Sequence, residues 1–106
     1  MSGDPLGPAD NGRIVRVAPG QRVEATLPQR GGTGYRWVLD PLPPGVVLVA
    51  ERTDPGDTTA AGAVGRRTFT FVVGSPDVPV RVTARLRRDW EPPDAAVDSF
   101  SVELET

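Results

Sequence analysis

The sequence predicts an all-β fold, an immunoglobulin-like antiparallel β-sandwich of about seven strands. Three observations lead there. Twelve glycines and twelve prolines in 106 residues cut the chain into short pieces, more than a helical domain tolerates. Between the cuts, apolar and polar residues alternate with the period of a strand that buries one face. No stretch carries apolar residues at helical spacing over a helical length, and no internal repeat is visible. A chain of this size forms one domain around one core.

Met1 to Gly12 is rich in Gly, Pro, Asp and Asn and is expected as a disordered tail, leaving 13–106 as the sandwich. Arg13 to Val17 reads as a short first strand, closed by the turn Ala18-Pro19-Gly20-Gln21. Arg22 to Leu27 sets Val23, Ala25 and Leu27 on one face, and Tyr35 to Leu39 is a third strand. Val46 to Glu51 is a continuous apolar run, either buried on both faces or at a sandwich edge. Arg66 to Val73 turns Phe69, Phe71 and Val73 inward. Val78 to Arg87 turns Val80, Val82, Ala84 and Leu86 inward and its arginines outward. Asp98 to Leu104 closes the set with Phe100, Val102 and Leu104. The expected core is Val23, Leu27, Trp37, Phe69, Phe71, Val82, Leu86, Phe100 and Val102.

Composition excludes most chemistry. There is no Cys and no His, which removes thiol nucleophiles, Ser-His triads, and zinc and haem ligation by those residues. Asp54 with Asp57, or Asp94 with Asp98, falls short of the roughly six to eight oxygens that calcium takes. No cofactor, no metal and no catalytic residue is therefore expected. All twelve basic residues are Arg, which fits a base-composition bias in the coding sequence. A net charge of −2 argues against nucleic acid or an anionic membrane as partner. The acidic, Pro/Gly-rich start lacks the basic and apolar regions of a secretory signal, so a cytoplasmic location is expected unless a signal was removed.

The stretch Gly31-Gly32-Thr33-Gly34-Tyr35-Arg36-Trp37 stands out. Glycine costs ordering entropy wherever it is fixed, so this is either a hairpin loop that turns on glycine or a contact surface on a rigid scaffold. Tyr35 and Trp37 fall on one face of the strand that follows, where Trp37 suits the core and Tyr35 the loop base. Parity sharpens the choice. If every strand crosses the sandwich once, successive connections alternate between its ends. The short turns at 18–21, 40–45 and 74–77 then close one end. The long loops at 28–34, 52–65 and 88–97 gather at the other. Stability alone does not require that asymmetry, which fits a recognition surface. Trp90, between Asp89 and Glu91 and ahead of two prolines, is either folded onto the sandwich or offered to a partner.

With these three loops in view, the chain resembles the chagasin family, inhibitors of papain-like cysteine proteases. That family carries Asn-Pro-Thr-Thr-Gly-Tyr, often followed by x-Trp, in its second connection. It carries Gly-x-Gly-Gly before an aromatic strand in the fourth, and Arg-Pro-Trp in the sixth. The counterparts here are Arg30-Gly31-Gly32-Thr33-Gly34-Tyr35-Arg36-Trp37, then Gly62-Ala63-Val64-Gly65 before Phe69 and Phe71, then Arg88-Asp89-Trp90. Arg30, Gly31 and Gly32 stand where the family has Asn, Pro and Thr; Val64 replaces a Gly, and Asp89 replaces the Pro before Trp90.

The resemblance implies a reversible, monomeric protein inhibitor that wedges three loops across a papain-like protease cleft and is not cleaved. It assigns Gly31, Gly32, Thr33, Gly34 and Tyr35, Gly62 to Gly65 including Ala63 and Val64, and Arg88, Asp89 and Trp90 to protease binding. Thr33 would sit over the catalytic cysteine with its backbone misplaced for attack. Trp90 would pack on aromatic residues of the primed side, and Gly62 to Gly65 would approach the far edge through backbone. Losing the first-loop Pro implies a larger ordering cost on binding. The alternative is an immunoglobulin-like interaction module that kept the fold and does not inhibit.

Overall fold

The computed structural model describes residues 5–29, 34–54, 65–74, 78–88 and 90–106. Seven strands form, β1 (Ile14–Arg16), β2 (Arg22–Gln29), β3 (Tyr35–Leu39), β4 (Val46–Asp54), β5 (Gly65–Val73), β6 (Val80–Arg88) and β7 (Asp98–Glu105). They make two sheets, ordered β1-β7-β6-β3 and β2-β5-β4. Short 3₁₀ turns occupy Pro8–Asp10 and Pro93–Ala95, and no α-helix occurs among the described residues.

The pairings follow chain parity. Every odd–even pair, β2 with β5, β3 with β6, β4 with β5 and β6 with β7, is antiparallel. The one odd–odd pair, β1 with β7, is parallel. Within each sheet the odd strands therefore run one way and the even strands the other, as a chain that crosses the sandwich once per strand requires. At the end of the short connections, backbone bonds tie the turns together. Gly20 N donates to Val73 O at 2.7 Å and Gly74 N to Gly45 O at 2.8 Å.

The core lies between the sheets. Val23, Ala25 and Leu27 of β2, with Phe69, Phe71 and Val73 of β5, face Trp37, Val82, Ala84, Phe100, Val102 and Leu104. The rings of Phe69 and Phe71 stack at 6.4 Å. Eight of the nine residues expected in the core are buried; Leu86 is half-buried and packs against it. Leu86 lies two residues from the end of β6, where the sheets open towards the long connections.

Three elements depart from the sequence reading. β2 runs past Leu27 through Pro28 to Gln29. Pro28 is tolerated because β2 is a sheet edge, so its missing N–H removes no ladder bond. β4 is also an edge, which settles the apolar run in favour of the edge alternative. Val47 is exposed on the outer face by alternation, and Val49 is exposed at a bulge between Leu48 and Ala50. Finally, residues 5–12 are not the loose tail expected. Leu6 forms a bridge to Ala25, with Leu6 N donating to Glu24 O and Thr26 N to Leu6 O, both at 2.8 Å. Its side chain packs on the core. Asn11 Oδ1 accepts from Ser101 N at 2.8 Å, and Gly12 N donates to Ser101 O at 2.7 Å. Leu6 on the open edge of β2 and the bonds of Asn11 and Gly12 to Ser101 together dock a segment whose composition reads as disordered.

Candidate functional site

The long connections leave from one end. In the β2-β5-β4 sheet, Gln29 pairs with Gly65, and Asp54 with Arg66. In the other sheet, Tyr35 pairs with Arg88 and Leu86 with Asp98. Trp37 joins the two rims. Its indole is 4% exposed, and Nε1 donates to Pro28 O at 2.8 Å. Its backbone N donates to Gln29 Oε1 at 2.9 Å. A buried indole N–H needs an acceptor, and the carbonyl beside the edge proline supplies one across the sandwich.

On this rim four residues from two connections meet. Tyr35 and Arg88 are cross-strand partners and continue the inward-facing stripes of Trp37 and Leu86. The Arg88 guanidinium carbon lies 4.5 Å from the Tyr35 ring centre and 5.7 Å from the Trp90 ring centre. Gly34 adopts φ +82°, a region that L side chains rarely enter. A Cβ there would lie 3.4 Å from Trp90 Cη2 and 3.8 Å from Arg88 Cγ. The glycine thus provides both the turn into β3 and the flat seat against which one edge of Trp90 rests. The rest of that indole is open, with Trp90 75% exposed.

The turn carrying Trp90 is pinned by backbone. Glu91 N donates to Arg88 O at 3.0 Å, Arg87 Nη1 donates to Glu91 O at 2.8 Å, and Val97 N to Leu86 O at 2.9 Å. On the facing sheet, Arg67 closes the equivalent stripe of β5. It lies over Phe69 at 5.2 Å, donates to Thr53 Oγ1 at 2.6 Å and is ion-paired with Glu51. The inner stripes of β5 and β6 thus each carry at this rim an arginine stacked on an aromatic ring, but Arg67 is paired with an acid while Arg88 carries a second ring. Among the described residues, no cluster of three His, Cys, Asp or Glu side chains could hold a metal ion. The arrangement presents a rigid, partly apolar surface.

Of the residues assigned by resemblance, the structure brings Gly34, Tyr35, Arg88 and Trp90 together. Gly65 is buried in the first position of β5, opposite Gln29. Gly31, Gly32, Thr33, Gly62, Ala63, Val64 and Asp89 lie outside the described residues. The connections are shorter than 28–34, 52–65 and 88–97, because β2 and β4 extend to Gln29 and Asp54, β5 begins at Gly65 and β6 ends at Arg88. Sequence reasoning missed Gln29 and Arg87, which brace the rim. Alternation places Arg87 on the outward face of β6, where the structure also has it. A latch to a carbonyl four residues along leaves no trace in period-two patterning.

A rim that offers an exposed indole at one end of a two-sheet immunoglobulin-like sandwich is suited to binding a partner. The sequence profile described as chagasin family peptidase inhibitor I42 matches residues 16–104. The chain belongs to the chagasin family of peptidase inhibitors, and it is an inhibitor and not an enzyme. Its fold is similar to the crystal structure of a cysteine protease inhibitor from Entamoeba histolytica. The TM-score is 0.79 at 14% identity, over 94% of this chain and 91% of the other. It is similar also to the solution structure of Amebosin, with a TM-score of 0.70 at 20% identity, over 94% of this chain and 93% of the other. None of the curated proteins compared with it matches.

Proposed function

We propose that the protein inhibits papain-like cysteine proteases reversibly, as a monomer, by setting its long-connection end into the active-site cleft. One observation carries the reading. The motif residues Gly34, Tyr35, Arg88 and Trp90 come from two separate connections and converge on one rim, where a large indole stands 75% exposed. A soluble domain gains nothing in stability from an indole in water, and such rings are typical interface anchors. The remaining long connection, 55–64, leaves from the same end between Asp54 and Gly65.

In this reading Trp90 packs on aromatic residues of the primed side of the cleft. Thr33 approaches the catalytic cysteine through backbone, and Gly62 to Val64 touch the far edge where small residues permit close approach. Inhibition needs only occupancy, so no nucleophile or acid–base pair is called for. The test is steady-state inhibition of papain and cathepsin L, with trypsin and a metalloprotease as controls. Competitive inhibition confined to the cysteine proteases is expected. Inhibition of none, or of all alike, overturns the proposal.

A further inference from the structure

We infer that Arg88 is a positioning residue, whose guanidinium, held on the Tyr35 ring, forms the floor that fixes Trp90 in its binding orientation before any protease arrives. The inference rests on the proposed role of Trp90. A side chain three-quarters exposed has little of its own to restrain it. Two contacts do so here. The Arg88 guanidinium carbon lies 5.7 Å from the indole centre and 4.5 Å from the Tyr35 ring centre, so the planar cation bridges two rings. Gly34 closes the seat, with a virtual Cβ 3.4 Å from Trp90 Cη2.

The position of Arg88 is itself fixed. It pairs with Tyr35 across the β3–β6 ladder, on the face that carries Trp37 and Leu86 further down. Its Nε is buried and makes no hydrogen bond among the described residues. Arg67 Nε is left the same way, so what distinguishes Arg88 is that the contacts of its guanidinium are the two ring faces. The facing arginine, Arg67, is committed to Glu51 and Thr53 and carries no second ring. The residue between Arg88 and Trp90 is Asp89 and not a proline, and the hydrogen bonds that hold the turn fix its backbone without fixing the direction of the indole. The ring–cation–ring stack supplies the restraint through side chains instead.

The experiment uses the full chain with Arg88→Met, which keeps an unbranched apolar stem, and Arg88→Lys, which keeps charge without a planar face. Trp37 is buried and Trp90 exposed, and they are the two tryptophans, so acrylamide-quenchable fluorescence reports Trp90. In the free protein, Arg88→Met is expected to speed the anisotropy decay of that component, with circular dichroism unchanged and Arg88→Lys intermediate. Against papain, Arg88→Met should weaken inhibition roughly 3- to 10-fold, the range expected when one side chain must be ordered on binding. In a Trp90→Ala background it should weaken inhibition no further. Unchanged anisotropy overturns the floor, whatever the inhibition shows. An equal loss with and without Trp90 means that Arg88 touches the protease directly and also overturns it. If Trp90→Ala leaves inhibition intact while the anisotropy responds as expected, the floor stands and the proposed role of Trp90 fails.

Discussion

Trp90→Ala separates binding from stability, and the structure sets both magnitudes. A tryptophan side chain offers up to about 250 Å² to burial. With Trp90 75% exposed, about a quarter of that, roughly 60 Å², is covered by Gly34, Arg88 and their neighbours. At ~25 cal/mol per Å² this amounts to about 1.5 kcal/mol of folding stability at most. The melting temperature should then fall by no more than roughly 5–10 °C for a domain of this size. A buried Trp would cost ~3–5 kcal/mol instead. Binding should respond more strongly, because an aromatic anchor at the centre of an interface loses ~2–4 kcal/mol on truncation. That is roughly 30- to 1000-fold in the inhibition constant. The assay is a pair, a thermal melt and a titration of papain, on the same preparation. A melting temperature lowered as far as for a core truncation would refute the exposed seat. An inhibition constant within about twofold of the parent would refute the anchor.

Four further outcomes are expected. Trp37→Phe removes the indole N–H from Pro28 O and leaves that carbonyl without its donor across the sandwich, costing about 1–3 kcal/mol by chemical denaturation; a neutral result would mean the latch between the rims is idle. Gly34→Ala forces a Cβ at φ +82°, costing ~1–2 kcal/mol, and should also weaken inhibition by crowding Trp90; an unchanged melt would show that the turn relaxes freely. Leu6→Ala should destabilise by about 1–2 kcal/mol, less than a fully buried leucine because Leu6 is half-buried, and hydrogen exchange at Thr26 N should quicken with it. Thr33→Ala should change inhibition by less than Trp90→Ala does, since the proposed wedge uses backbone at that position; a loss as large as that of Trp90→Ala would assign the contact to the Thr33 side chain.

Much of this fold is legible in the chain because a sandwich writes its pattern at short range. Phe69-x-Phe71-x-Val73 and Phe100-x-Val102-x-Leu104 state which face is inside with no knowledge of the partner strand. Parity then places three connections at one end without any side-chain contact being known. What is not legible depends on residues far apart in sequence. Leu6 reads as part of a polar tail until the open edge of β2 is available to it. The Arg88 floor requires the register that sets Tyr35 opposite it, and the sequence reading ended β6 one residue short, at Arg87. The inward parity of residues 80, 82, 84 and 86 continues to 88 and was the signal that could have found it. Exposure of Trp90 was open on residues alone, because a ring among Asp89, Glu91 and two prolines has no alternation to place it; the seat on Gly34 and Arg88 leaves it open to solvent.

The central claim, that this end of the sandwich occupies a papain-like active site without being turned over, is tested most directly at the protease's own nucleophile. Papain saturated with the protein is treated with a thiol-alkylating reagent, and both chains are weighed by mass spectrometry over many half-times of the free reaction. The account predicts that the catalytic cysteine is protected in proportion to occupancy, that protection is lost on dilution, and that the inhibitor chain keeps its full mass. Alkylation at the rate of free papain would contradict the account, and so would a chain cut between Gly31 and Tyr35.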